Sequence, residues 1–267
     1  MKKISILAIA LITLQSCVKI KSDSDGRVIS FNGGKATGPI TDKTYSGDFS
    51  SIEVSSGLDA EVIKSDTEKV IISAPSDVQD RILVENNGGE LHVHFKSGFR
   101  INMSTNNIRV KIYAKDFNSI KANSSADITL RDKFTQDKMN VSVSSSGSIN
   151  GDFEANSLSM KSNSSGTYKG SIWAVNASAE ASSSGDIIIK GKAKDFSASV
   201  SSSGTINAKD VVAETARLEA SSSGDVSLAV SKQVTASASS SGDVVVYKNG
   251  NPSITKNESS SGSVTIR

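Results

Sequence analysis

Few side chains in this sequence can do chemistry, and their spacing narrows what that chemistry is. His92 and His94 are its only imidazoles. In Leu91-His92-Val93-His94-Phe95 the alternation turns both rings away from the apolar residues, as a metal pair on one strand face would require. No third ligand is identifiable beside them in sequence, so they read as solvent-facing strand histidines, and neither a metal nor a cofactor is expected. The best-placed carboxylates are Asp225 and Asp243, each directly after a repeated glycine; Asp186 shares their column, with Thr205 between. A polysaccharide-cleaving enzyme needs clustered carboxylates of this kind, but Asp is also common beside turns for local reasons. The abundant serines have no histidine near them to act as base, which argues against a nucleophilic role.

Charge and cysteine count exclude further classes. Lys and Arg total 30 against 28 Asp and Glu, a net +2, without the basic excess of a nucleic-acid binder. One cysteine excludes a disulfide framework and a Cys-cluster metal site. That cysteine is informative by position. Lys2 and Lys3 precede the eleven-residue apolar run Ile4–Leu14, too short to span a bilayer but the size of a signal-peptide core. Leu14-Gln15-Ser16-Cys17 then resembles a bacterial lipobox, whose cysteine is acylated and becomes the mature N-terminus. Residues 1–17 therefore read as a lipoprotein signal peptide. The expected location is the cell envelope, lipid-anchored through Cys17 at the outer membrane, with the membrane face undecided. Residues 18–46 lack a sustained apolar period and carry Gly26, Gly33, Gly34, Gly38 and Pro39; they read as a flexible tether with a reach of about 30 Å.

Residues 47–267 must position everything else, and most of them repeat. Ser-Ser-Ser-Gly occurs at 144–147, 182–185, 201–204, 221–224, 239–242 and 259–262, with Asn-Ser-Ser-Gly at 163–166. The glycines Gly147, Gly166, Gly185, Gly204, Gly224, Gly242 and Gly262 are spaced 18 to 20 residues apart. Asn123-Ser124-Ser125-Ala126 is a degenerate earlier copy, and Val54-Ser55-Ser56-Gly57 is another, one residue shorter. A disordered serine-rich linker would not hold so tight a period. Apolar residues alternate on both flanks of each run, as in Phe196, Ala198 and Val200 before it and Ile206 after it. Period two means strands with one buried face. A unit of about 19 residues cannot bury that face alone, but stacked units can. The fold class is therefore all-β: a parallel β-solenoid, right-handed, with rungs of about 19 residues over 120–267 and a length of about 35–40 Å.

Continuing the alternation through each run predicts that its middle serine (Ser145, Ser164, Ser183, Ser202, Ser222, Ser240 and Ser260) points inward beside the glycine. Stacking would then form an internal hydroxyl ladder, which would satisfy groups that are costly to bury alone. The glycines would stand where positive φ or close backbone approach excludes a Cβ.

Residues 62–114 do not follow the repeat. Val70–Ala74, Arg81–Glu85, Leu91–Phe95 and Ile108–Tyr113 read as strands, and Asn86-Asn87-Gly88-Gly89 as a hairpin turn. This segment is expected to be a β insertion capping the N-terminal end, because open solenoid ends are unpaired edges. The other end, Ser263–Arg267, shows no cap in sequence; Arg267 or a second copy of the chain, in a homo-oligomer, would cover it.

These features together resemble a known family, the bacterial lipoproteins with the "putative auto-transporter adhesin, head GIN domain" of Bacteroidetes. The resemblance rests on Phe49-Ser-Ser-Ile52-Glu-Val54-Ser-Ser-Gly57-Leu58-Asp-Ala-Glu-Val62, the hairpin strands, Asp116-Phe117-Asn118-Ser119-Ile120 and the Ser-Ser-Gly repeats. It covers about Phe49 to Arg267. It implies an all-β, solenoid-like fold and surface adhesion, and brings no catalytic residues. The expected function is thus a non-catalytic envelope binding protein with an unknown glycan or protein ligand. The alternative is a pectinase-like polysaccharide-degrading β-helix enzyme. Fold alone does not decide between them.

Overall fold

The computed structural model describes residues 38–97 and 107–267. Cys17, the signal peptide and most of the expected tether lie outside the described residues. The first strand, β1 (Ile40–Ser46), corrects the far end of that tether: it pairs antiparallel with β4 (Lys69–Pro75), so the β domain begins earlier than residue 47. Between them come β2 (Ser51–Val54) and β3 (Asp59–Lys64). A 3-10 turn at Gln79–Arg81 leads to β5 (Ile82–Asn87), β6 (Glu90–Phe95) and β7 (Arg109–Ala114).

The repeat then begins with β8 (Ser119–Ala122), β9 (Asp127–Leu130), β10 (Phe134–Val143), β11 (Ser148–Asn150) and β12 (Phe153–Ser162). It continues with β13 (Thr167–Ala181), β14 (Asp186–Val200), β15 (Thr205–Ala220), β16 (Asp225–Ala238), β17 (Asp243–Lys248), β18 (Ser253–Glu258) and β19 (Ser263–Ile266). Each strand pairs in parallel with its counterpart one repeat away: Val141 lies against Met160, Met160 against Ala179, and Ala179 against Ala198. The parallel β-solenoid expected from the period is the observed fold.

The serine runs are corners. Ser145 and Ser146 have φ of +49° and +61°, and the Gly147 N–H donates to Ser144 O at 2.9 Å. Two left-handed residues inside an i to i+3 hydrogen bond make a type I′ turn. The same turn recurs at every copy from Asn123–Ala126 to Ser259–Gly262. This overturns the expected inward serines. Ser145, Ser164, Ser183, Ser202, Ser222, Ser240 and Ser260 are all exposed. Strand parity holds only while the chain is extended, and two left-handed residues break it. No hydroxyl ladder forms; the backbone supplies the ladder instead. Ser146 N–H donates to Ser164 O, Ser165 N–H to Ser183 O and Ser184 N–H to Ser202 O, at 3.0 to 3.2 Å.

The glycines do turn inward, and close approach explains them. A Cβ on any of the seven repeat glycines would stand 2.3–3.0 Å from its nearest neighbour atom, backbone of the preceding rung in every case. At Gly204 the obstacles are the Ala181 carbonyl and Ser182 N, at 2.8–2.9 Å. None of the seven has the positive φ offered as the other reason. Inward alternation also breaks at two further points per rung, near Gly170-Ser171 and at Val175-Asn176 in β13. Each full rung is therefore bent at three places around a core of stacked columns. One such column runs Ile149, Tyr168, Ile187, Ile206, Val226, Val244, Val264, all buried.

The two ends differ. At the N-terminal side, β6 and β7 extend the parallel stack beyond β2 and β3, and β5, β4 and β1 close it with antiparallel pairings. At the other side, Lys256 and Glu258 of β18 continue the inward columns occupied by Ala236 and Ala238 one rung earlier. They pair with each other at 3.5 Å, and Glu258 Oε1 accepts the Val264 N–H at 2.7 Å. Inward-pointing charge is a known device for guarding a sheet edge. Arg267 lies over the Tyr247 ring, 5.9 Å from its centroid.

Candidate functional site

The bend at Val175-Asn176 and the serine turn delimit one sheet face on each rung. Its outward side chains form columns fixed by the parallel register. The first runs Lys138, Ser157, Asn176, Asp195, Thr215, Gln233, Ser253. The second runs Asn140, Ser159, Ser178, Ser197, Arg217, Thr235, Thr255. The third runs Ser142, Lys161, Glu180, Ser199, Glu219, Ser237, Asn257. None of these residues is apolar, and hydroxyls and amides predominate. Strand geometry spaces them about 4.8 Å along the rod and about 7 Å across it.

Most charges on this face are used within it. Lys161 pairs with Glu180 at 2.9 Å, Arg217 with Glu219 at 2.6 Å, and the Thr215 hydroxyl donates to Asp195. Apart from Lys138, what remains for a ligand is a lattice of neutral donors and acceptors. Two open grooves follow the same face. One, of about 510 Å³, crosses the rungs of β12 to β16 and includes Ser157, Asn176, Ser178, Asp195, Ser197 and Gln233. The other, of about 280 Å³, runs beside the serine turns from Ser199 to Ser259. The exposed hydroxyls of the turns border this surface.

The carboxylate column lies on a different face. Register places Asp186, Thr205, Asp225, Asp243 and Ser263 in line, as expected from their positions after the glycines. Asp59 and Asp127 continue that line at the N-terminal side. Partial burial, then the neighbouring Asp243, holds the Asp225 carboxyl above the ordinary carboxylate range. No ion pair reaches Asp186, Asp225 or Asp243 among the described residues.

The histidine pair is less exposed than expected. Both rings are half-buried and stacked, with centroids 4.1 Å apart. Glu85, which sequence reasoning did not place, stands directly across from His92 on β5. Among the described residues two repeat-region hydroxyls are fully buried: Ser162, in a column otherwise apolar, donates to Gly166 O at 2.7 Å, and Tyr168 donates to Gly151 O at 3.1 Å.

Residues 48–252 match the family model described as "putative auto-transporter adhesin, head GIN domain". The chain belongs to this family. Known structures share its fold. A putative adhesin from Parabacteroides distasonis superposes with a TM-score of 0.80 at 20% identity, covering 87% of this chain and 99% of that one. A putative lipid binding protein from the same species gives 0.78 at 22% identity, covering 87% and 98%. A putative adhesin from Parabacteroides merdae gives 0.77 at 17% identity, covering 88% and 98%. None of the curated proteins matches the chain. At these identities the likeness is one of fold.

Proposed function

We propose that the chain is a non-catalytic, lipid-anchored binding protein of the cell envelope, and that the hydroxyl- and amide-bearing face of its solenoid takes a glycan. The observation that carries this reading is the run of hydroxyls and amides in the three outward columns, which two grooves follow over a mostly buried apolar floor that includes Leu158, Ala177 and Phe196. A protein interface normally needs buried aromatic or aliphatic anchors at its centre. A repeating polyol needs regularly spaced hydrogen-bond partners, and the rungs supply them at fixed intervals. The family description and the adhesin relatives support a surface role, and the lipobox at Leu14–Cys17 supports the anchor. A lipid ligand, the role given to one relative, fits less well: an acyl chain needs an enclosed apolar cavity, whereas the described interior is filled by packed side chains.

The test is a glycan array probed with the wild-type chain and with Ser178→Arg/Ser197→Arg, which places bulk on the face without touching the core. Binding lost in the variant, with its melting temperature retained, supports the reading. Binding equal in both, or confined to protein ligands, overturns it. Reducing-sugar release abolished by Asp225→Asn/Asp243→Asn would establish the enzyme reading instead. Palmitate labelling lost on Cys17→Ser tests the anchor, and protease shaving of intact cells tests its side.

A further inference from the structure

The Gly88-Gly89 turn pairs Asn87 with Glu90, and that register sets Glu85 opposite His92. His94 lies two residues along the same outer face of β6, half-buried against the stacked ring of His92. His94 Nδ1 is 2.9 Å from the Phe95 carbonyl oxygen. A carbonyl can only accept, so Nδ1 carries a proton, and in the neutral ring Nε2 then presents a lone pair. That Nε2 is shielded from solvent, has no hydrogen-bond partner, and stands 3.5 Å from Glu85 Oε2. With a neutral ring, two acceptors face each other here with no donor between them. A backbone carbonyl holding the far nitrogen of an imidazole is also the arrangement that orients metal-binding histidines.

We infer that Glu85, His92 and His94 form a binding site for a first-row divalent ion of the zinc class. One ligand atom from each residue lies within 4.8 Å of the others. Donors about 2.0–2.2 Å from zinc stand about 3.3 Å apart in a tetrahedron, so small side-chain adjustments close the site. Glu85 can make them, because half of its side chain is exposed. Two imidazoles with one carboxylate suit Zn(II), Ni(II) or Cu(II) and disfavour Mg(II) and Ca(II). His92 Nε2 also lies 2.9 Å from the Ser55 hydroxyl and 3.8 Å from Glu53, which flank the site from the end of β2 and the residue after it. Three protein ligands leave a fourth position for water or for a group on a partner.

The experiment is calorimetric titration of the full chain carrying Cys17→Ser, so that no thiol competes, with ZnCl2 and separately MgCl2. His94→Gln and Glu85→Gln are made in the same background. The expected result is one equivalent of zinc bound and magnesium ignored. Each substitution should weaken zinc at least tenfold, with an unchanged melting temperature in the absence of metal. Nitrogen-15 NMR of the imidazoles covers the case in which a variant fails to fold. Zinc should shift His94 Nε2 of the unsubstituted pair, whereas an apo His94 protonated on both nitrogens and unresponsive to zinc means a plain ion pair with Glu85 and overturns the site. Zinc binding unaffected by either substitution also overturns it.

Discussion

Ser146 gives its backbone N–H to the carbonyl oxygen of Ser164, 3.0 Å away, so one turn is hydrogen-bonded to the turn of the next rung. Inter-rung pairing therefore continues around the corner instead of stopping at the strand ends. The corner needs two left-handed residues and, at the seven repeat glycines, then a residue without a Cβ, and each requirement has a measurable consequence.

Gly204→Ala should destabilise by about 2 kcal/mol, and Gly204→Val by more, because either side chain meets the Ala181 backbone. Ser203→Ala, at an exposed turn position, should stay within about 0.5 kcal/mol of wild type. Urea denaturation of the three variants checks both; equal shifts would mean that the glycine is not at a close approach.

Replacing Ser202-Ser203 by Asn-Gly should stabilise the fold by about 1 kcal/mol. Left-handed backbone costs an ordinary residue roughly 1–2 kcal/mol, and Asn-Gly is the favoured type I′ pair. The φ values of +50° and +61° place both serines in that region. A lower urea midpoint in the variant would show that the serine hydroxyls contribute more than the turn geometry predicts.

Asp225→Asn should raise the melting temperature at pH 7 and leave it nearly unchanged at pH 3. Burial, followed by Asp243, raises this carboxyl above its ordinary range. The folded state then holds the proton more tightly than the unfolded state. Stability from this group is present below its unfolded value and falls as pH rises through the raised one. Amide replaces charge only where charge is the burden, so identical shifts at the two pH values would count against this account.

Lys256→Val/Glu258→Val should convert the last rung into a self-associating edge. Both residues continue columns that are alanine one rung earlier. With apolar residues there, the interior stack would end on an exposed apolar floor beside unpaired strand backbone. Light scattering across a concentration series should show a mass increase in the variant and none in wild type.

The solenoid was legible because two signals agreed: glycines 18 to 20 residues apart and period-two alternation on either side. The alternation could not show that Ser145 and Ser146 abandon extended backbone, and so the inward hydroxyls were a false extrapolation. A serine pair gives weaker notice of a type I′ turn than Asn-Gly does. The outward columns were implicit, since Ser178 over Ser197 follows once the register is known. Glu85 was also within reach. A two-residue turn at Gly88-Gly89 fixes it opposite His92, but a turn read as four residues does not. The Lys256–Glu258 guard needed the register as well, because in sequence those charges resemble any exposed pair.

Because every corner is built alike and hydrogen-bonded to the corner beside it, the molecule has a natural unit of length. Excision or duplication of one whole repeat, such as 182–200, would bring equivalent backbones together, whereas a gain or loss of a few residues within a face would throw every later column out of line. The length of the rod is thus adjustable in steps, and the surface presented along it is copied with each step.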